Sequence, residues 1–475
     1  MATAEQNVKI VELVKQITQE GRQATQEEQA LLTKYTGWGA SEIANGIFPN
    51  MYGRYKNDSW GDLGRRLERA LTPEEYAQAR RTTQYAHYTS EPIIRSAYNA
   101  LSRMGFNGGS VLEPGMGVGL FAGLMPESML NSSSYTGIEY DSITGNIAKL
   151  LYPDDNIIVG DYTKTRLPRD FFDVAIGNPP FGSIKVLGDP EYKKQGFLLH
   201  DYFFAKTIDR VKPGGLLVFV TSKGTMDTAS DRARSYLSER ADLVGAVRLP
   251  QTAFKDNAGT EVVTDVIFLR KRRKGEAPAG EAWAGLAEVP TAQGPAMVNE
   301  YFAAHPEMVL GRHAKTGSMY RADEYTVEPI EGSIEEMFGR AIENLPANIF
   351  RPERGSKAER SAVVRRDYDP KVKKEGGVYV ADDGTLMQVD EGQGVPLTTR
   401  MSASNTPVDL KPKEVEWLKG FVGVRDALKQ AQYDQLNDGQ WESSLKTLNK
   451  LYDAFVKQHG PILSHTVTER ENADG

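Results

Sequence analysis

The sequence predicts an α/β protein centred on a doubly wound, largely parallel sheet, with a helical N-terminal segment and an α+β C-terminal region. Three observations carry this expectation. From about residue 83, short runs rich in Val, Ile, Leu and Phe alternate with helical patterns, as expected of strands covered on both faces by crossover helices. Before that point apolar residues recur at helical spacing, and after residue 274 the alternation stops. The length of 475 residues also exceeds one compact core, so two or three domains are expected. The expected division is a helical region over 1–82, the α/β domain over 83–274, a linker over 275–296 and a C-terminal α+β and helical region over 297–475.

Each element has its own signal. Val8, Ile10, Val11, Val14 and Ile17 form an apolar helical stripe. The stretch 35–40 (Tyr-Thr-Gly-Trp-Gly-Ala) interrupts the pattern as a tight turn. Thr72, Pro73 and Glu75 start a helix with a cap, a first-turn proline and an acid facing the dipole. Strands are expected at Val111–Leu112, Ser134–Glu139, Ile157–Val159, Phe172–Ile176, Leu216–Thr221, Leu243–Arg248 and Thr264–Leu269, with a helix over Asp201–Val211. The last two strands follow closely and are expected to form an antiparallel edge. The run Arg270–Lys274 closes the block, and the Ala-, Gly-, Pro- and Glu-rich stretch after it reads as a linker. Further on come a helix over Ser333–Leu345, a hairpin around Asp382-Asp383-Gly384, and two amphipathic helices between Lys413 and about His459.

Composition sets outer limits. The residues are 40% hydrophobic, 25% charged and 9% aromatic, enough apolar material for a sizeable core. There is no Cys, which excludes disulfides, thiolate metal sites and Cys nucleophiles. No apolar run is long enough to span a bilayer, and the first residues lack the blocks of a signal peptide. A cytoplasmic protein with no membrane association is the expectation. The net charge of −7 argues mildly against a nucleic-acid partner, but binding depends on a local basic patch rather than on the total. His87 and His200 stand isolated, and no group has metal-ligand spacing, so no metal is expected.

The strongest chemical signal is Asn178-Pro179-Pro180-Phe181, just after the strand Phe172–Ile176. By itself it is also a plain turn former, but the C-terminal end of a strand is where α/β sites lie. Methylating adenine N6 requires its lone pair to be localised and aimed. Two acceptors suffice to hold the two N–H bonds: the Asn178 side-chain oxygen and the Pro179 carbonyl. The prolines stiffen the loop, and Phe181 offers a face for an extruded base, where stacking contributes about 1–3 kcal/mol.

The second signal is Glu113-Pro114-Gly115-Met116-Gly117-Val118-Gly119, a strand running into a glycine-rich loop. Glycines admit close approach of a ligand to the backbone, but such loops bind many nucleotides or none. Two carboxylates narrow the choice. Glu139 ends the second strand, where it can accept from two ribose hydroxyls. Asp161, followed by Tyr162, stands after the third, where it can accept from an adenine amino group. The Lys-Ser/Thr ending of a phosphate loop is missing. Such a pocket suits S-adenosylmethionine better than ATP or NAD. Each acid alone also reads as an exposed strand-end charge.

Together these motifs resemble the gamma group of N6-adenine DNA methyltransferases, over roughly residues 83–272. The resemblance implies a Rossmann-like methyltransferase sheet, a flipped target base and S-adenosylmethionine as cofactor. Ala86-His87-Tyr88-Thr89-Ser90 resembles that family's early motif. By this match Tyr88 and Thr89 meet the methionine carboxylate, Glu113 lies near its amino group, Glu139 at the ribose, and Asp161 and Tyr162 at the adenine. Asn178, Pro179 and Phe181 hold the base, and Leu249–Phe254 with Ala258-Gly259-Thr260 lines its pocket. Lys34–Gly39, Leu249–Lys271, Asn299–Phe302 with Leu310-Gly311, and Tyr452–Val456 are similar to the methylase portion of large phage and plasmid methylase–helicase proteins of antirestriction type. No Walker A sequence is present here, so the chain resembles only the front portion of such proteins: either it is a fragment of one, or a helicase or ATPase module, or another phage or plasmid protein, is a separate partner.

DNA is the expected substrate. Phosphate contacts are sought among Arg351, Arg354, Arg360, Arg365, Arg366, Lys371, Lys373 and Lys374 and in the run Arg270–Lys274. Such charges equally suit a solvated linker. Trp38 and Trp417 are expected in packing rather than base stacking. Two other readings stay open: a methyltransferase acting on RNA or a protein amide, and a non-catalytic DNA- or partner-binding module.

Overall fold

The computed structural model describes residues 1–83, 89–182, 184–254, 262–317, 323–353, 377–381, 383–390, 393–401, 407–436 and 441–461. The chain forms two compact units, Met1–Arg354 and Gly355–Gly475.

The first unit opens with helices α1 (Ala2–Glu20), α2 (Gln26–Leu32), α3 (Ser41–Ile47), α4 (Asp58–Ala70) and α5 (Pro73–Thr82). The stripe Val8, Val11, Val14 and Ile17 is almost wholly buried, as its spacing predicts. Thr72 caps α5 with a reciprocal bond to Glu75, satisfying two amides that the first turn leaves open. These helices share one apolar cluster with Val118, Ile143, Ile147 and Leu150 of the α/β body.

The α/β body follows: α6 (Glu91–Arg103), β1 (Ser110–Pro114), α7 (Leu120–Gly123), α8 (Glu127–Leu130), β2 (Ser134–Glu139), α9 (Ser142–Leu151), β3 (Asn156–Val159) and β4 (Phe172–Gly177). Then come α10 (Leu199–Arg210), β5 (Val211–Ser222), α11 (Gly224–Asp227), α12 (Arg232–Ser238), β6 (Ala241–Leu249) and β7 (Thr264–Lys271). The sheet order is β3-β2-β1-β4-β5-β7-β6. β1 pairs parallel with β2 and β4, β2 with β3, and β4 with β5. β7 runs antiparallel to both β5 and β6. The last two strands therefore form an antiparallel edge as expected, with the final one, β7, inserted between β5 and β6. Its first six residues are all buried, which an interior position provides.

β6 is the sheet's end strand, and the chain beyond it covers that edge. Leu310 N–H donates to the Arg248 carbonyl at 2.8 Å, while an added Cβ at Gly245 would meet Leu345 and Tyr301. Covering an edge removes a template for pairing with other chains. Arg248 itself is fully buried and bonds the carboxylates of Asp227 and Asp265 at 2.8–2.9 Å. Its guanidinium also lies 4.1 Å from the Phe302 ring centroid, a cation–π contact.

The stretch 275–296 differs from the expected linker. Trp283 is buried and donates to Ser238 Oγ at 2.9 Å, and Glu281 N–H bonds the Leu243 carbonyl. β8 (Leu286–Val289) pairs with β9 (Ala296–Asn299). One large aromatic anchors a segment whose composition otherwise suits a loop. The region expected from 297 onward is likewise divided: a hairpin of β10 (Arg312–Gly317) and β11 (Glu324–Glu328) and a helix over Ile334–Glu343 belong to the first unit.

The basic run is part of the fold rather than a free patch. Arg270 pairs with Glu276 and Asp242, Lys271 with Asp170, and Arg272 with Asp242. Of the other basic candidates, Arg351 is described, its amide bonded to the Gly214 carbonyl. Arg354, Arg360, Arg365, Arg366, Lys371, Lys373 and Lys374 lie outside the described residues, as do Ala258–Thr260.

In the second unit, β12 (Val378–Val380), β13 (Leu386–Asp390) and β14 (Gln393–Pro396) form an antiparallel sheet, and β15 (Thr399–Met401) pairs with β16 (Pro407–Asp409). Helices Pro412–Leu436 and Trp441–His459 pack together through Trp417, which stacks on Phe421 and meets Phe455 edge-on. Trp417 is thus a packing residue, as its helical setting predicts.

Candidate active site

The parallel strand order reverses between β1 and β4, and at such a switch point the carboxyl ends of the strands open a crevice. A cavity of about 320 Å³ lies there. Glu113 from β1, Glu139 from β2, Asp161 from the loop after β3 and Asn178 from the loop after β4 all line it. Residues far apart in sequence thus converge because four neighbouring parallel strands end at one level.

The two signal loops touch each other. A Cβ built on Gly115, at φ +73, would lie 3.3 Å from Pro180 Cδ, so the glycine loop and the Asn-Pro-Pro-Phe loop pack closely, with little slack for a side chain. Gly115 and Gly117 both line the cavity, as do Thr89, Tyr162 and Pro180. Gly119 does not. At φ +85 it faces the Tyr152 ring, 2.5 Å from where a Cβ would be, so its role is close packing rather than ligand approach. Pro114, Pro179 and Phe181 are also outside the lining: Pro179 is buried and Phe181 half-buried along the loop. Tyr88 lies outside the described residues.

The carboxylates differ in setting. Glu139 accepts the amides of Gly117 and Asp141, each at 2.8 Å. Burial nevertheless pushes its carboxyl up to about 7, with the neighbouring Asp141 adding to the effect. Glu113 is 1% exposed and accepts from Tyr135 Oη at 2.6 Å; burial holds it well above the usual carboxylate range. Asp161 turns one oxygen back to the Thr163 amide and hydroxyl, at 2.8 and 2.7 Å. Behind it, buried Lys206 bonds the carbonyls of Tyr162 and Thr165 and the Asp189 carboxylate, which fixes the loop from the core side. His200 meets the Gly182 carbonyl at 3.2 Å, just beyond Phe181.

The donor set tests which ligand belongs here. Thr89 is 4% exposed, lines the cavity, and its hydroxyl finds no hydrogen-bond partner among the described residues. A buried hydroxyl of this kind loses free energy unless something bonds it. The carboxylates repel phosphate and attract hydroxyl, amino and ammonium donors. A nucleoside bearing an amino-acid tail and no phosphate fits both features.

Sequence reasoning did not find the N-terminal helices at this site. Tyr35, Gly37, Trp38, Arg81 and Thr82 line the same cavity. Trp38 was expected to pack, and it does, edge-on to Tyr35 and Phe48, but the same ring also borders the pocket. Among the described residues no group of three or more His, Asp or Glu could hold a metal, and no helix is long and apolar enough to cross a membrane.

Fold and cavity define the class as a mixed α/β fold with a central, mostly parallel sheet and a carboxylate-lined crevice. Residues 135–253 match the family described as Eco57I restriction-modification methylase. The matched span runs from β2 to the loop after β6, and so contains Glu139, Asp161 and Asn178–Phe181. Over that span the chain is similar to methylases of the restriction-modification type, and the cofactor expected of such a methylase is S-adenosylmethionine. A curated relative, "Defense against restriction protein B" of Escherichia phage P1, is 30% identical over 191 residues, 39% of this chain. The chain spans 8% of the length of that relative by the matched region. Among solved structures, the type I restriction-modification methyltransferase subunit of Streptococcus thermophilus aligns at 19% identity over 46% of this chain and 54% of its own, with a TM-score of 0.35. A Listeria monocytogenes protein, provisionally described as a class I S-adenosylmethionine-dependent methyltransferase, aligns at 16% identity over 59% of this chain and 91% of its own, with a TM-score of 0.38. At these scores they add nothing to what the chain's own sheet order shows.

Proposed function

We propose that this chain transfers a methyl group from S-adenosylmethionine to the N6 amino group of adenine in DNA, with the base turned out of the helix into the Asn178–Phe181 pocket. The observation that carries this reading is the contact between the two loops. Gly115 of the cofactor-side loop packs on Pro180, and Asn178 and Pro180 border the same cavity as Glu113, Glu139 and Asp161.

Each residue has a task that follows from its chemistry. The bound cofactor supplies an electrophilic methyl on a sulfonium. Glu139 accepts the ribose hydroxyls, Asp161 with Tyr162 holds the adenine end, and Thr89 and Glu113 receive the methionine end. Asn178 Oδ1 and the Pro179 carbonyl each accept one N–H of the target amine. That pulls the nitrogen lone pair out of conjugation and aims it at the methyl. Pro179 and Pro180 keep both acceptors from moving. Phe181 stacks on the base and offsets part of the few kcal/mol that extrusion costs. The amine loses its proton after transfer, so no side-chain base is needed at the nitrogen.

The test is incubation of the purified chain with tritiated S-adenosylmethionine and unmethylated DNA, beside Asn178→Ala. Label recovered as N6-methyladenine, and lost in the variant, is the expected result. Label in RNA or protein with none in DNA would replace adenine as the substrate. Partners such as a separate helicase or another phage or plasmid protein belong to the same proposal. They are tested by adding candidate subunits to a chain that binds cofactor but is slow to transfer.

A further inference from the structure

The cavity is not closed by the α/β fold alone. Part of its wall comes from the turn after α2, where Tyr35, Gly37 and Trp38 border the space. This turn is built, not incidental. Asn7 of α1, fully buried, donates to the Gly37 carbonyl at 2.6 Å and accepts the Thr36 amide at 3.2 Å. Gly37 holds the left-handed φ of +68 that the bend needs. The aromatic rings of Tyr35 and Trp38 sit edge to face at 6.0 Å, each almost wholly buried. The helices carrying the turn are tied beside the ribose-side strand end: Gln78 accepts from Ser142, at the start of α9, and Gln29 donates to the Leu150 carbonyl.

Charge gives the second observation. Among the described residues lining the cavity, Arg81 at the end of α5 is the one cation, set against Glu113, Glu139, Asp141 and Asp161. Its guanidinium meets Tyr140 Oη at 3.3 Å, next to Glu139. A ligand with hydroxyl, amino and ammonium groups is served by the carboxylates, and its own carboxylate, beyond what the Thr89 hydroxyl gives it, is strengthened by a cation.

We infer that the N-terminal helical layer is part of the cofactor site: the Tyr35–Trp38 turn is the wall against which the nucleoside packs, and Arg81 is the counter-charge for the ligand's carboxylate. This rests on the reading of the cavity as the S-adenosylmethionine pocket. It goes further by making cofactor affinity depend on residues of the helical layer that precedes the α/β body.

The experiment is calorimetric titration of the full chain with S-adenosylhomocysteine and with 5′-methylthioadenosine, which keeps the nucleoside but has no amino-acid tail. Wild type is compared with Trp38→Leu and Arg81→Gln, and thermal melts verify that each is folded. Trp38→Leu should weaken both ligands about tenfold, the loss of one aromatic wall. Arg81→Gln, a change at an exposed side chain that leaves the core alone, should weaken S-adenosylhomocysteine about three- to fivefold and leave methylthioadenosine within twofold. If wild type binds and both variants bind alike within twofold, the layer is only a scaffold and the inference falls. Equal loss of both ligands in Arg81→Gln overturns the carboxylate assignment. Should Trp38→Leu fail to fold, Arg81→Gln still decides. If wild type binds neither ligand, the pocket reading itself fails, which is a different result.

Discussion

Glu139 offers a quantitative test of the pocket. Its carboxyl, half-buried and pushed up to about 7 by burial with Asp141 nearby, is divided between two forms in the free protein at neutral pH. A carboxylate that accepts two ribose hydroxyls must be ionised, so ligand binding lowers its pKa and releases a proton. The sign follows: affinity approaches its full value about one unit above that pKa and is lost as pH falls through it. With a free-state pKa of about 7, roughly ten in eleven carboxylates are ionised at pH 8 and roughly one in eleven at pH 6, so Kd should rise about tenfold across that interval. Glu113, also held above the ordinary range by burial, adds its own slope, which the variant Glu139→Gln separates. Titration calorimetry with S-adenosylhomocysteine, in buffers of different ionisation enthalpy, measures both Kd and the protons released. A wild-type Kd that is flat from pH 6 to 8, or a slope unchanged in Glu139→Gln, would refute the assignment of Glu139 to the ribose.

Other outcomes follow from contacts already described. Thr89→Val removes a buried hydroxyl that no described residue bonds, so it should leave the melting temperature of the free chain within about 2 °C yet weaken cofactor binding about tenfold; a large loss of Tm would mean the hydroxyl has a structural partner. Arg248→Met leaves Asp227 and Asp265 facing each other without their shared cation and should cost about 3–5 kcal/mol in chemical denaturation; a cost under about 1 kcal/mol would count against the network. Gly119→Ala drives a Cβ to 2.5 Å from the Tyr152 ring at a φ of +85 and should destabilise by about 1–3 kcal/mol. Unchanged stability would show that Tyr152 moves aside freely.

The sheet was largely readable from the chain because its strands are short apolar runs set between loop residues, and runs such as Ser134–Glu139 coincide with β2 residue for residue. The converging acids were readable for a related reason: in a parallel sheet, strand ends in sequence are strand ends in space. What escaped reading was contributed by distance. Nothing local to Trp38 or Arg81 says that the turn and helix end will meet the strand-end loops of the sheet. Thr264–Leu269 announces a buried strand, but not that it slips between two earlier ones. The stretch 275–296 misled because its Ala, Gly and Pro content outweighs a single Trp283, whereas in the fold that one ring decides. Gly119 shows the limit of a motif: it is one of three evenly spaced glycines, and only its neighbour Tyr152 distinguishes steric need from ligand approach.

The position of β7 has a consequence for how the chain is made. While the polypeptide emerges from the ribosome, the stretch Leu216–Ser222 of β5 presents an unpaired, largely apolar edge, and its partner begins 42 residues after β5 ends, at Thr264. At synthesis rates of about 5–20 residues per second, that edge stays unpaired for several seconds. Nascent chains stalled or cut before residue 271 should therefore aggregate, with every residue of the proposed methyl-transfer pocket already present, and the first length released in soluble form should be one that includes β7.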